Sequence, residues 1–189
     1  MYGMVNKAVQ DLIVSHHGEE VWLRVREAAE VEDEVFMSNQ QYPDEVTYRL
    51  VGAVSQVLNI PAAEVLEQFG KHWVLVTARR GYGQLLKLGG RTLKEFLVNL
   101  PNFHTRIAMM FQDLQPPEFE CSDVAEDGMR LHYRSHRPGL APFVQGLLMG
   151  LSELFETPAV IRHEQKLAEG ADHDVFYIGW GTSEKETAA

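Results

Sequence analysis

The 189-residue chain has a single cysteine, Cys121, so it closes no internal disulfide and carries none of the multi-cysteine patterns that hold zinc or iron–sulfur clusters. It is also short of positive charge, with 27 Asp and Glu against 17 Lys and Arg and a formal charge of −10. A field of that sign repels phosphate backbones and anionic membranes, which argues against nucleic acid as a partner. Long apolar runs are missing too. The longest uncharged stretch runs only from Pro138 to Ser152, short of the ~20 residues of a membrane-spanning helix, and Lys7 and Asp11 break the N-terminus before an apolar leader could develop. A reducing cytoplasm is the expected location, with neither secretion nor membrane insertion. Finally, there is no Gly-x-Ser-x-Gly elbow, no phosphate-cradling Gly-x-x-x-x-Gly-Lys loop and no His-Glu-x-x-His, which counts against hydrolases and nucleotide enzymes.

What is present suits an ordinary globule: 45% hydrophobic and 23% charged residues, in a chain long enough to bury roughly 70% of its unfolded surface in one well-cored domain. The first hundred-odd residues show helical spacing. Val5, Val9, Leu12 and Ile13 make one apolar stripe, and Val21, Val25 and Ala28 another. Pro43-Asp44-Glu45 is a helix start, Val46 through Leu58 supply a core face ending near Asn59, and Pro61 opens the next helix. Gly70, Gly81, Gly83 and Gly89-Gly90 are expected to cut the following stretch into pieces, one through Trp73, Leu75 and Val76 and one through Leu93, Phe96 and Leu97. Pro101 leads a helix whose inward candidates are Phe103, His104, Ile107, Ala108, Met110 and Phe111.

After Pro116-Pro117 the period changes from about 3.6 to 2. Phe119, Cys121 and Val124 form a first strand, Met129 to Arg137 a second, with a hairpin turn at Glu126-Asp127-Gly128. Leu140 to Phe155 is the most apolar helix, and a second hairpin around Glu169-Gly170 joins Val160-Ile161-His163 to Val175-Tyr177-Gly179. The order is helices, then β-β-α-β-β.

Three groups of residues could carry chemistry. His132 and His136 would face one way on a strand as a surface metal pair, whereas Asp172-His173-Asp174 suits a solvated turn. His104 shares a helical face with Ile107, Ala108 and Phe111, so its ring enters an apolar interior. Two readings stay open there: a core histidine bonded to a backbone carbonyl, or the single protein ligand of a haem, whose porphyrin supplies the other four nitrogens. Tyr133, Ser135 and Arg137 alternate on one face of an extended strand, offering two hydroxyls and a guanidinium that match a pair of carboxylates such as haem propionates; the bland alternative is a solvated strand face. Met4, Trp73, Phe143 and Leu147 read as core, or as the walls of an apolar cofactor cavity.

Taken together, Asn102-Phe103-His104, Pro116-Pro117 and Tyr133-x-Ser135-x-Arg137 resemble the H-NOX family, the haem–nitric oxide/oxygen binding domains related to the haem domain of soluble guanylate cyclase. Met1-Tyr2-Gly3-Met4-Val5-Asn6, Asp44-Glu45-Val46 and Gly146-Leu147-x-x-Gly150 extend the likeness from residue 1 to about 180. The resemblance implies an α+β fold, with a helical N-terminal part (about 1–60) packed on a haem-enclosing remainder (about 61–180) that contains an antiparallel sheet and one long helix, and with a frayed polar tail over 181–189. It implies haem b with His104 as axial iron ligand, Tyr133, Ser135 and Arg137 on the propionates, and Pro117 bending the porphyrin. Oxygen-binding members carry a tyrosine where this chain has Phe143. Without that donor, oxygen loses a hydrogen bond of ~1.5–3 kcal/mol, while nitric oxide and carbon monoxide bind ferrous haem well; Trp73 remains a candidate donor.

The implied activity is therefore non-enzymatic: a nitric oxide and carbon monoxide sensor that excludes oxygen and breaks the His104–iron bond to signal. The implied reader is a separate output protein, such as a histidine kinase or an enzyme of cyclic-di-GMP metabolism. Two rivals stand beside it, a haem peroxidase or oxygenase using His104, and a haem-free adaptor holding an apolar carboxylate at Arg137. Cys121 is expected to be buried and inert.

Overall fold

The computed structural model describes residues 1–111 and 114–181, so the expected tail, past Gly181, lies outside the described residues. The helices are α1 (Gly3–His17), α2 (Glu19–Ala28), α3 (Asp44–Leu58), α4 (Ala62–His72), α5 (Arg79–Gly89), α6 (Leu93–Val98), α7 (Leu100–Met110) and α8 (Ala141–Leu154). The strands are β1 (Glu118–Ser122), β2 (Gly128–Arg134), β3 (Ala159–Gln165) and β4 (Asp174–Trp180). All strand pairs are antiparallel in the order β1-β2-β4-β3, with α8 crossing over between β2 and β3. This is the expected α+β architecture, with strands following helices.

Local chemistry sets most boundaries. Asn59, at φ 55°, ends α3 in the left-handed conformation that asparagine tolerates. Thr92 caps α6 by accepting from the Glu95 amide. Pro101 sits in the first turn of α7, where a missing N–H costs nothing. Three expectations are corrected. Gly70 does not break the chain, because α4, a π-helical segment over Trp73–Ala78 and the start of α5 run on from Ala62, whereas the expected break at Gly81 and Gly83 is met by a kink at Tyr82 between them (φ −135°, ψ 23°), where one helix gives way to the next. Val124 lies outside β1, since Asp123 at φ 49° turns the chain away after Ser122. And β2 stops at Arg134, so Ser135 and Arg137 lie in the turn that follows, where the Arg137 amide donates to Ser135 Oγ.

Two apolar clusters result. One joins α1, α2, α3 and α4 through Leu12, Ile13, Trp22, Leu50, Val54 and Phe69; the other lies between α6, α8 and the sheet through Phe96, Leu97, Leu131, Leu148, Phe176 and Ile178. Helices α4 and α8 join them by backbone-close packing. A Cβ on Gly70 would stand 2.1 Å from the Phe143 carbonyl oxygen, and one on Gly146 would stand 2.0 Å from that of Glu67. Glycine is required there for approach rather than for flexibility.

Candidate functional site

Between the two clusters lies a cavity of about 310 Å³, at the lower end of the range for ligand sites. All nine residues singled out from the sequence line it: Met4 on α1, Trp73 in the π segment, His104 on α7, Pro117 before β1, Tyr133 on β2, Ser135 and Arg137 after it, and Phe143 and Leu147 on α8. A π turn places Trp73 here, a local distortion frequent at functional sites. The Trp73 ring stands edge-on to Phe143 (6.4 Å between centroids) and to Phe69 (6.1 Å), so α4 and α8 offer an aromatic wall.

His104 projects from a helix whose only buried residue is Leu100; Phe103, His104 and Ile107 are half-buried and face the cavity. Its Nδ1 lies 3.0 Å from the Leu100 carbonyl oxygen, which can only accept, so the proton sits on Nδ1 and Nε2 keeps its lone pair. Burial lowers the imidazole's pKa from its ordinary value of 6.5, against a smaller opposite effect of the Leu100 hydrogen bond. The ring is therefore neutral at neutral pH and able to ligate. The first sequence reading, a histidine bonded to a backbone carbonyl, is met, and the same bond leaves the second nitrogen free to ligate.

The polar groups gather at one end. Burial raises the Tyr133 phenol above its usual 10, with a Ser135 hydrogen bond working the other way. Arg137 donates from Nε to Asp44 Oδ2 at 2.7 Å and from a terminal nitrogen to the Gln115 carbonyl at 2.9 Å. Asp44, at the start of α3, also accepts from the Met1 ammonium, which donates to the Tyr42 carbonyl at 2.6 Å. One turn on, the Tyr48 hydroxyl donates to the Pro138 carbonyl at 3.0 Å.

Asp44, Tyr48 and the Met1 ammonium are the polar-end groups that residue-by-residue reading missed, because their partners are 41 to 93 residues distant. Asp44 had registered only as a helix start. Tyr82 was missed as well; its hydroxyl donates to the Met4 thioether at 3.5 Å, a weak acceptor, from the kink in α5.

A neutral imidazole with a free lone pair, in an apolar cavity that ends in a guanidinium, hydroxyls and an ammonium, defines a pocket for an apolar, anionic cofactor with a ligatable centre. Comparison with known proteins agrees. The family model described as haem-NO-binding matches residues 2–163. Soluble guanylate cyclase gcy-31 of Caenorhabditis elegans is 31% identical over 162 residues, covering 85% of this chain and 23% of that protein. For gcy-33 of the same organism the figures are 30% over 155 residues, 82% and 16%. The chain thus spans less than a quarter of these relatives. An H-NOX structure from S. oneidensis in its Fe(II)NO state superposes with a TM-score of 0.87 at 23% identity (96% of this chain, 100% of that one), and an H-NOX structure from K. algicida with 0.85 at 22% (97% and 98%). The chain belongs to the haem-NO-binding (H-NOX) family, with the α+β fold of its sensor domains. Its residues fit the group that family name implies: Nε2 of His104 is free, and the cationic end of the cavity can take carboxylates.

Proposed function

We propose that the protein is a haem-based gas sensor that takes up nitric oxide and carbon monoxide, excludes oxygen, and signals to a separate output protein. The observation that carries the reading is the His104 imidazole, fixed by Leu100 with Nε2 unpartnered in an apolar cavity. In this reading His104 is the iron ligand of haem b, Tyr133, Ser135 and Arg137 hold the propionates, Pro117 presses on the porphyrin, and Met4, Trp73, Phe143 and Leu147 line its surroundings. Haem held by these residues would supply a ferrous iron able to take nitric oxide or carbon monoxide without a distal donor, with His104 as the chain's own ligand whose release would carry the signal.

The chain's own part follows from its packing. While His104 is ligated, α7 is tied to the cavity; once released, it is held by Leu100 and a half-buried face alone. A helix so lightly buried can settle in a second arrangement and change the surface that a partner reads. A histidine kinase or a cyclic-di-GMP enzyme is the proposed class of partner. The relatives named as soluble guanylate cyclases support signalling as the role, and the S. oneidensis structures in Fe(II)NO and Fe(II)CO states support the choice of gases. No helix among the described residues is long and apolar enough to cross a membrane, which supports a cytoplasmic setting.

Oxygen exclusion rests on Phe143, which brings a ring and no hydroxyl to the wall. The test is an absorption spectrum of the anaerobically reduced protein exposed in turn to air, carbon monoxide and nitric oxide. A five-coordinate ferrous spectrum indifferent to air and converted by nitric oxide to a five-coordinate nitrosyl is expected. A stable oxy spectrum abolished by Tyr82→Phe would assign the donor to Tyr82 and overturn the exclusion. No Soret band after haem feeding would return the haem-free adaptor.

A further inference from the structure

The face of the sheet turned away from the cavity carries a second constellation. Leu131 and Tyr133 of β2 line the cavity, so His132 between them points to the opposite side. His136, on the exposed turn after β2, does not join it. Its partner is instead His173, 41 residues on: His132 Nδ1 and His173 Nε2 face each other at 2.7 Å, with ring centroids 5.0 Å apart. The outer nitrogen of each ring is anchored by oxygen. His173 Nδ1 lies 2.9 Å from Asp172 Oδ2, and His132 Nε2 lies 2.8 Å from Ser122 Oγ.

This is the arrangement that orients metal-ligating histidines, with the outer N–H given to a carboxylate or another oxygen and the inner lone pair left for the ion. Asp172 already sets His173 in that tautomer. His132 reaches it when its proton moves to Nε2 and the Ser122 hydroxyl, which donates or accepts, rotates to receive it, so no net proton is released from the neutral pair. Two imidazoles on one tetrahedral ion at ~2.0–2.1 Å have their ligating nitrogens ~3.3 Å apart, an opening of ~0.6 Å from what is seen.

We infer that His132 and His173 form a site for a divalent transition-metal ion, zinc or copper, on the outer face of the sheet. No third His, Cys, Asp or Glu converges on the pair among the described residues. The remaining positions fall to water and to Glu120, which sits on β1 directly opposite His132 and, at 72% exposed, can swing in by giving up its ion pair with Arg134. Arg134 opposes the ion: its guanidinium is 3.3 Å from His173 Nε2 and 3.6 Å from Glu120. The site does not depend on what fills the cavity.

The test is Zn²⁺ titrated into the full-length protein against a chromophoric chelator, with His104→Ala as a parallel background that removes the cavity imidazole. One zinc per chain is expected in both. His132→Gln and His173→Gln should each weaken it at least tenfold, His136→Gln should leave it unchanged, and Arg134→Gln should tighten it. Zinc binding that survives both His132→Gln and His173→Gln, that vanishes with His104→Ala, or that does not tighten with Arg134→Gln would overturn the assignment. The last variant keeps the inference testable should either histidine variant fold poorly.

Discussion

At the scale of the residue, the deciding feature is which nitrogen of His104 carries the proton. Removing the ring by His104→Gly should leave haem weakly held, with the ferrous five-coordinate spectrum restored by added imidazole; a normal spectrum without imidazole would unseat the ligand assignment. Burial lowers the His104 pKa, so in the haem-free chain the unfolded state takes up a proton first as pH falls below about 6.5. Stability should drop through that window until the folded ring also titrates. Denaturant midpoints against pH should fall more steeply for the wild type than for His104→Ala. Phe143→Tyr adds a hydroxyl to a ring that faces Phe69 at 5.0 Å and lines the cavity. One such donor gained is worth about 1.5–3 kcal/mol, or roughly ten- to a hundredfold in oxygen affinity, read from the ferrous spectrum in air. Cys121, pushed up to about 11 by burial and by the neighbouring Glu120, should resist iodoacetamide at neutral pH in the native protein and react once unfolded.

At the scale of the element, the sequence was legible wherever a period ran its length. The stripe of α3, the apolar α8 and the β-β-α-β-β order were all readable, because burying one face forces that repeat. It was less legible where tertiary packing overrides local propensity. Glycine normally punctuates a helix, yet Gly70 sits inside α4 because α8 passes so close that a Cβ would strike the Phe143 carbonyl and, at 2.7 Å, the Leu147 amide. The distinction can be measured. Gly70→Ala pushes against backbone that cannot rotate away and should cost about 1–3 kcal/mol. Gly52→Ala, inside α3 with nothing within 4 Å of the added carbon, should stabilise by about 0.5–1 kcal/mol. Thermal unfolding of the pair should move in opposite directions, and equal shifts would mean that helix propensity alone governs both positions.

At the scale of the whole molecule, the sequence reading collected the cavity residues but not the polar clasp that ties α3 to the turn after β2 beside the α4–α8 packing, since its partners are far apart in the chain. Asp44 and Tyr48, one turn apart on α3, clasp Arg137 and the Pro138 carbonyl beyond β2, while Asp44 also holds the chain's own ammonium. Burial by itself would raise the Asp44 carboxyl, but the hydrogen bonds from the ammonium and from Arg137 outweigh it and hold it below its ordinary 3.8. A carboxylate lowered in the fold contributes stability that is present above its unfolded value and is lost as pH falls through the folded one. Asp44→Asn should therefore destabilise the protein at neutral pH, by about 1–2 kcal/mol for a partly screened pair, and should flatten the acid limb of the stability curve below about pH 3.8. Because Arg137 also lines the cavity's polar end, the same substitution frees its guanidinium for an anionic cofactor. Haem retention should be kept or improved while the unfolding midpoint falls. Parallel losses of both would show instead that Asp44 is needed to aim Arg137 into the cavity.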